Sequence, residues 1–136
     1  MKLLVTYSME ECAATIRLLL WLKNIVSPPF KDKQLETINE TGDIIHGAWE
    51  ANKCEFYELE FDSTHVVCLM SLYDGVMDLC EKNEINEHKV LEVRDLIPDI
   101  RTKLVRSIQG YMGPEKVQKF NEYREEARRA NGYYND

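Results

Sequence analysis

The chain has 136 residues, 44% hydrophobic and 30% charged, a composition that fits one soluble globular domain and excludes a disordered, collagenous or disulfide-built chain. Its 24 acidic residues outnumber 17 lysines and arginines, giving a formal charge of −7, so long-range repulsion disfavours nucleic acid and anionic membranes as nonspecific partners. The four cysteines, Cys12, Cys54, Cys68 and Cys80, include no C-x-x-C pair and no Cys/His pair at zinc spacing, and the longest apolar stretch, Ile16–Leu22, is far short of the roughly 20 residues of a membrane span.

With no secretory cleavage pattern at the start of the sequence, the expectation is a cytoplasmic protein with reduced, mostly buried thiols and no membrane segment. Residues 2–7 read either as a short strand or as an extension of the helix that follows. Ser8 and Glu11 make an S-x-x-E capping box, opening a helix that runs to Val26 and is stopped by Ser27, Pro28 and Pro29. That helix is apolar on most sides, through Met9, Cys12, Ala13, Ile16, Leu19, Leu20, Leu22 and Ile25. Such a helix needs cover all round, from a central position or from a second subunit, so a homodimer or higher homo-oligomer is expected.

From Lys33 to Ala51, Leu35, Ile38, Ile45, Ala48 and Trp49 recur on one face, which predicts a second helix despite Gly42. The segment 54–61, CEFYELEF, alternates like a strand with Tyr57, Leu59 and Phe61 on one side, but it also reads as the first turns of a third helix running to Glu81. A fourth helical stretch is expected over about 87–109, bent near Pro98. Gly113 and Pro114 open a fifth, charged helix to about Ala130, and Gly132 follows as a stop. With no repeats or linkers, the expectation is a single mainly α domain over 1–136, a bundle of four to five helices with room for a short strand at the N-terminus or at 54–61.

The placement of the acids is the most informative feature. On the second helix Glu36, Glu40 and Asp43 fall within an arc of about 60°. If 54–81 is one helix, Glu55, Glu58 and Asp62 share a similar arc that runs into Val66, Leu69, Tyr73 and Met77. Carboxylates in line with a buried stripe are costly unless neutralised, and a divalent cation is one neutraliser. Mg²⁺ takes oxygen ligands and keeps waters that a phosphate group can replace, so two facing helices with carboxylates at i, i+3 or i+4 can build such a site.

Asn39-Glu40-Thr41-Gly42-Asp43-Ile44 resembles the E-E-x-G-E-L helix of the all-α nucleoside triphosphate pyrophosphatases, the group of MazG-like proteins, dimeric dUTPases, the phosphoribosyl-ATP pyrophosphohydrolase and bacteriophage dCTPases. Glu58-Leu59-Glu60-Phe61-Asp62 stands where that family has E-x-x-D before a hydrophobic helix, and Lys119, Asn121 and Arg124 resemble its C-terminal nucleotide contacts. Asn39 replaces the usual first Glu, Asp43 replaces a longer Glu, and Glu58 and Asp62 are four apart instead of three. The resemblance, over about residues 33–134, implies a Mg²⁺ or Mn²⁺ site at Glu40, Asp43, Glu58 and Asp62, with Glu36 and Glu55 in reserve. It further implies Glu40 or Glu36 orienting the attacking water and Lys119, Asn121 and Arg124 holding a nucleotide, with Tyr133, Tyr134 or Trp49 against its base. The implied reaction is hydrolysis of a nucleoside triphosphate to the monophosphate and pyrophosphate.

Bland readings compete with each element. The acids of the second helix can form a solvated face, Asp62 or Ser63 can be a helix cap, and His65, one turn after Asp62, can be structural. The rival function is a non-enzymatic acidic interaction protein: an inhibitor, a nucleic-acid mimic, or a nucleotide-binding member without catalysis. Hydrolysis requires the four carboxylates in one pocket, whereas an interaction protein spreads them over outer faces.

Overall fold

The computed structural model describes residues 2–26, 32–51 and 55–131, the side chains of 25, 26, 51, 112–121, 123, 124 and 127–131 excepted. The predicted stops at Pro28 and Pro29 and at Gly132 lie outside the described residues, as does Cys54. In chain order come strand β1 (Lys2–Ser8), helix α1 (Met9–Trp21) continued by a π-helical turn (Leu22–Val26), α2 (Asp32–Ala51), strand β2 (Phe56–Asp62), α3 (Ser63–Glu81), the single-turn α4 (His88–Leu91), a 3₁₀ turn (Arg94–Leu96) and the long α5 (Ile97–Asn131). The class is mainly α with one short sheet.

Both undecided segments are strands, because their apolar residues alternate with period two and not with helical spacing. Leu3, Val5 and Tyr7 of β1 and Tyr57, Leu59 and Phe61 of β2 are buried, while the residues between them face outward. The strands pair antiparallel, with Lys2 opposite Asp62, Val5 opposite Leu59 and Ser8 opposite Phe56. A two-stranded sheet is marginal alone. Here its inner face is backed by helices, with α5 against β1, α2 against β2 and α3 against both strands.

The strand at 56–62 removes the continuous helical arc on which Glu55, Glu58 and Asp62 were to follow the buried stripe. Helix α3 begins only at Ser63, and its buried residues include Val66, Leu69, Tyr73 and Val76. It ends in a Schellman arrangement: Asn83 has φ 56°, its N–H donates to the Cys80 carbonyl at 3.1 Å, and the Glu84 N–H donates to the Leu79 carbonyl at 2.9 Å.

The fourth stretch is not one bent helix. It breaks into α4, a turn and the 3₁₀ segment, and Pro98 falls in the first turn of α5, where its missing N–H has no helical acceptor to lose. Nor does a fifth helix open at Gly113, since α5 runs through Gly113 and Pro114.

Helix α1 is covered from within the chain, by α2, β1 and α4. Its buried residues include Cys12, Ala14, Leu18, Leu19 and Trp21, and Met9 and Leu20 are its exposed large apolar side chains. Much of the apolar surface of this helix is thus covered within the chain, with Met9 and Leu20 left outward. Within the core the buried Tyr73 hydroxyl lies 3.1 Å from that of Tyr7 and 2.9 Å from Thr15 Oγ1. Burial pushes both tyrosines' pKa values up, so this chain of neutral hydroxyls ties β1, α1 and α3 together. Cys12 and Cys68 are buried thiols whose pKa values burial raises to about 11 and about 12, and Cys80 is half-buried.

Candidate functional site: outward-facing carboxylates and two clefts

The predicted carboxylates divide among different surfaces. Glu36, Glu40 and Asp43 are exposed on α2. Glu58, opposite Thr6, and Glu60, opposite Leu4, project from the outer face of the sheet, and Glu55 is exposed just before β2. Asp62 closes the strand with Lys2 Nζ 2.9 Å from its Oδ1, and that hydrogen bond holds the Asp62 carboxyl below its ordinary pKa.

Among the described residues, which include Glu40, Asp43, Glu58 and Asp62, no three His, Cys, Asp or Glu side chains are grouped so as to hold a metal ion. The donor set that the sequence offers for Mg²⁺ or Mn²⁺ is therefore not assembled: two members lie on the α2 surface, one on the sheet's solvent face and one in an ion pair. Residues 58–62 do precede the hydrophobic helix α3, but as a strand, whose side chains alternate between faces.

Two of the predicted site residues are linked through a third. His65 Nδ1 accepts the Asp62 backbone N–H at 3.1 Å, and His65 Nε2 lies 3.2 Å from Glu40 Oε2. With Nδ1 an acceptor, the ring proton sits on Nε2 and donates to Glu40. His65 is 7% exposed in its side chain and Glu40 53%. The imidazole thus caps the start of α3, with its ring edge-on to Phe61 at 6.4 Å, and pins α2 to the strand–helix junction. Glu40 makes this contact through Oε2 from the protein surface.

Asn39 and Asp43 instead line a cleft of about 260 Å³ between α1 and α2, together with Lys23, His46, Gly42 and an apolar floor that includes Ile16 and Leu19. A larger cleft, about 610 Å³, opens on the other side of Leu20 and is lined by Arg17, Trp21, Asn24, Glu87, His88, Lys89 and Val90. The π-helical turn separates the two, sending Lys23 to one and Asn24 to the other. The larger cleft was not found by sequence reasoning. Its only local signal is the i, i+3, i+4, i+7 spacing of Arg17, Leu20, Trp21 and Asn24, and its opposite wall comes from residues more than sixty positions later.

The side chains of Lys119, Asn121 and Arg124 lie outside the described residues, as do Tyr133 and Tyr134. Trp49 is half-buried, with its ring edge-on to His46 at 6.4 Å. No helix among the described residues is long and apolar enough to cross a membrane. Comparison with known proteins finds no matching family model, no matching curated protein and no matching solved structure.

Proposed function

We propose that the chain acts by binding, as an acidic interaction protein whose docking surface is the outer face of the two-stranded sheet. The observation that carries this reading is the pairing of exposed apolar and acidic groups there: Leu4 and Phe56 are 55% and 56% exposed, and Glu58 and Glu60 stand between and beside them. Exposed apolar anchors bordered by carboxylates are complementary to a basic protein surface with apolar pockets. An inhibitor or a nucleic-acid mimic would use the same chemistry. Steering by a net charge of −7 would speed encounter with such a partner and make the rate fall with added salt.

The test compares the wild-type chain with a Glu58→Lys/Glu60→Lys variant and a Phe56→Ser variant, all exposed positions whose substitution leaves the inner face of the sheet intact. A basic protein retained by wild type, lost by both variants and reconstituted as a purified complex supports the reading. A partner bound equally by all three chains contradicts it.

Nucleoside triphosphate pyrophosphohydrolysis is the second reading, favoured by one observation: Asn39 and Asp43 of the family-like segment line the smaller cleft beside Lys23. Turnover that Asp43→Asn abolishes would support it.

A further inference from the structure

The larger cleft has the make-up of a small-molecule site, independently of the docking face on the sheet. Its volume of about 610 Å³ falls in the range of ordinary ligand pockets. Its wall is apolar and partly aromatic: Leu20, Trp21 and Val90 line it. Trp21 and Val90 are otherwise buried, so the surface they offer is held in place by the core.

Arg17 Nη1 is 3.1 Å from Glu92 Oε2, and His88 Nε2 is 2.8 Å from Glu92 Oε1, so one carboxylate is shared by the guanidinium and the imidazole at the mouth. A guanidinium has five N–H donors, and this pairing leaves most of them free for a second acceptor. Lys89 lines the same cleft and makes no ion pair among the described residues. Asn24, brought into the cleft by the π-helical turn, adds an amide, and Glu87 is the one carboxylate among the lining residues. Helices with a π-helical turn often carry functional residues at it.

We propose that this cleft binds a planar aromatic anion, with the ring against Leu20, Trp21 and Val90 and its carboxylate or phosphate at Arg17 and Lys89. The apolar wall supplies burial for a ring system of two fused rings or similar size. Arg17 and Lys89 supply charge-assisted hydrogen bonds, which set the preference for an anion over a neutral ligand of the same shape.

The matched probes are naphthalene-2-carboxylate and naphthalene-2-carboxamide, which differ in charge and hardly in shape. They are titrated calorimetrically, and by fluorescence into a Trp49→Phe chain in which Trp21 is the remaining indole. Saturable quenching is expected, with the carboxylate bound about tenfold more tightly than the amide and Lys89→Met cutting the carboxylate's affinity by about tenfold. Lys89 is exposed, so this variant keeps the fold, and Arg17→Met provides an independent second loss. Absence of saturable binding, equal affinity for the two probes, or indifference of the carboxylate to both substitutions would each overturn the proposal.

Discussion

The two strand-to-helix junctions are built to one plan and held together by different chemistry. At the first, Ser8 ends β1 and caps α1: the Ser8 hydroxyl accepts the Glu11 N–H at 3.1 Å, and Glu11 Oε1 accepts the Ser8 N–H at 2.8 Å. At the second, Asp62 ends β2 and its N–H donates to an imidazole three residues on, instead of to a carboxylate. Each junction is then tied to a more distant helix. Glu11 binds Lys103 of α5 at 2.6 Å, and His65 binds Glu40 of α2 at 3.2 Å. The first tie is a buried carboxylate reached by a half-exposed lysine, and the second is a buried imidazole reached by an exposed carboxylate. In both, the buried member completes the cap and the more exposed member joins it to a distant helix, so Glu40 stands to its junction as Lys103 does to the other.

Removing the buried member should have the largest effect. Glu11→Ala takes away the reciprocal cap and leaves Lys103 without its partner, and a loss of about 2–3 kcal/mol is expected by denaturant unfolding. Burial opposes ionisation of Glu11, but Lys103 and the Ser8 N–H outweigh it and hold the pKa below the ordinary 4.5. A depressed carboxylate pKa stabilises above the unfolded value and loses that contribution as pH falls through the folded one. Glu11→Gln should therefore flatten the acid limb of the stability curve below about pH 4.5 while costing less there than at neutral pH.

His65→Ala should cost less, about 1–2 kcal/mol, since it orphans one backbone N–H and removes the Phe61 ring contact but exposes no buried charge. A loss larger than that of Glu11→Ala would break the ranking. Smallest and opposite in sign is Gly42→Ala, on the helix that carries Glu40. A Cβ there would meet only Leu19 Cδ1, at 3.9 Å, an ordinary contact. The gain in helix propensity should raise stability by about 0.5–1 kcal/mol, read as a higher melting temperature.

Local signals in the sequence predicted local structure well. The Ser8–Glu11 box, the helical face of 33–51 and the end of the third helix near Glu81 are all present, because each depends on residues a few positions apart. Two errors came from competing local signals. Pro98 lies in the first turn of a helix instead of bending one, and Gly113-Pro114 lies within a helix instead of opening one. The α1 surface could not be assigned to core or interface from spacing, because the elements that cover it are contributed by α2 and α4. The candidate site was the least legible part. The separation of Glu58 and Asp62 is nearly that of one helical turn, but on a strand it turns both carboxylates away from α3's buried stripe. His65 was visible one turn beyond Asp62, whereas its Glu40 partner became visible only once α2 lay against β2.

Glu40, Asp43, Glu58 and Asp62 stand on different surfaces, Asp43 at the smaller cleft, Glu40 against His65 and Asp62 against Lys2, and the proposed binding role needs no catalytic centre shared among them. Pyrophosphate release by the purified chain, assayed over a panel of canonical and modified nucleoside triphosphates with Mg²⁺ or Mn²⁺, tests this most directly. No turnover above a Glu40→Gln control and no metal-dependent rise in melting temperature are expected. Turnover of any nucleotide that Glu40→Gln abolishes without unfolding the chain would contradict it.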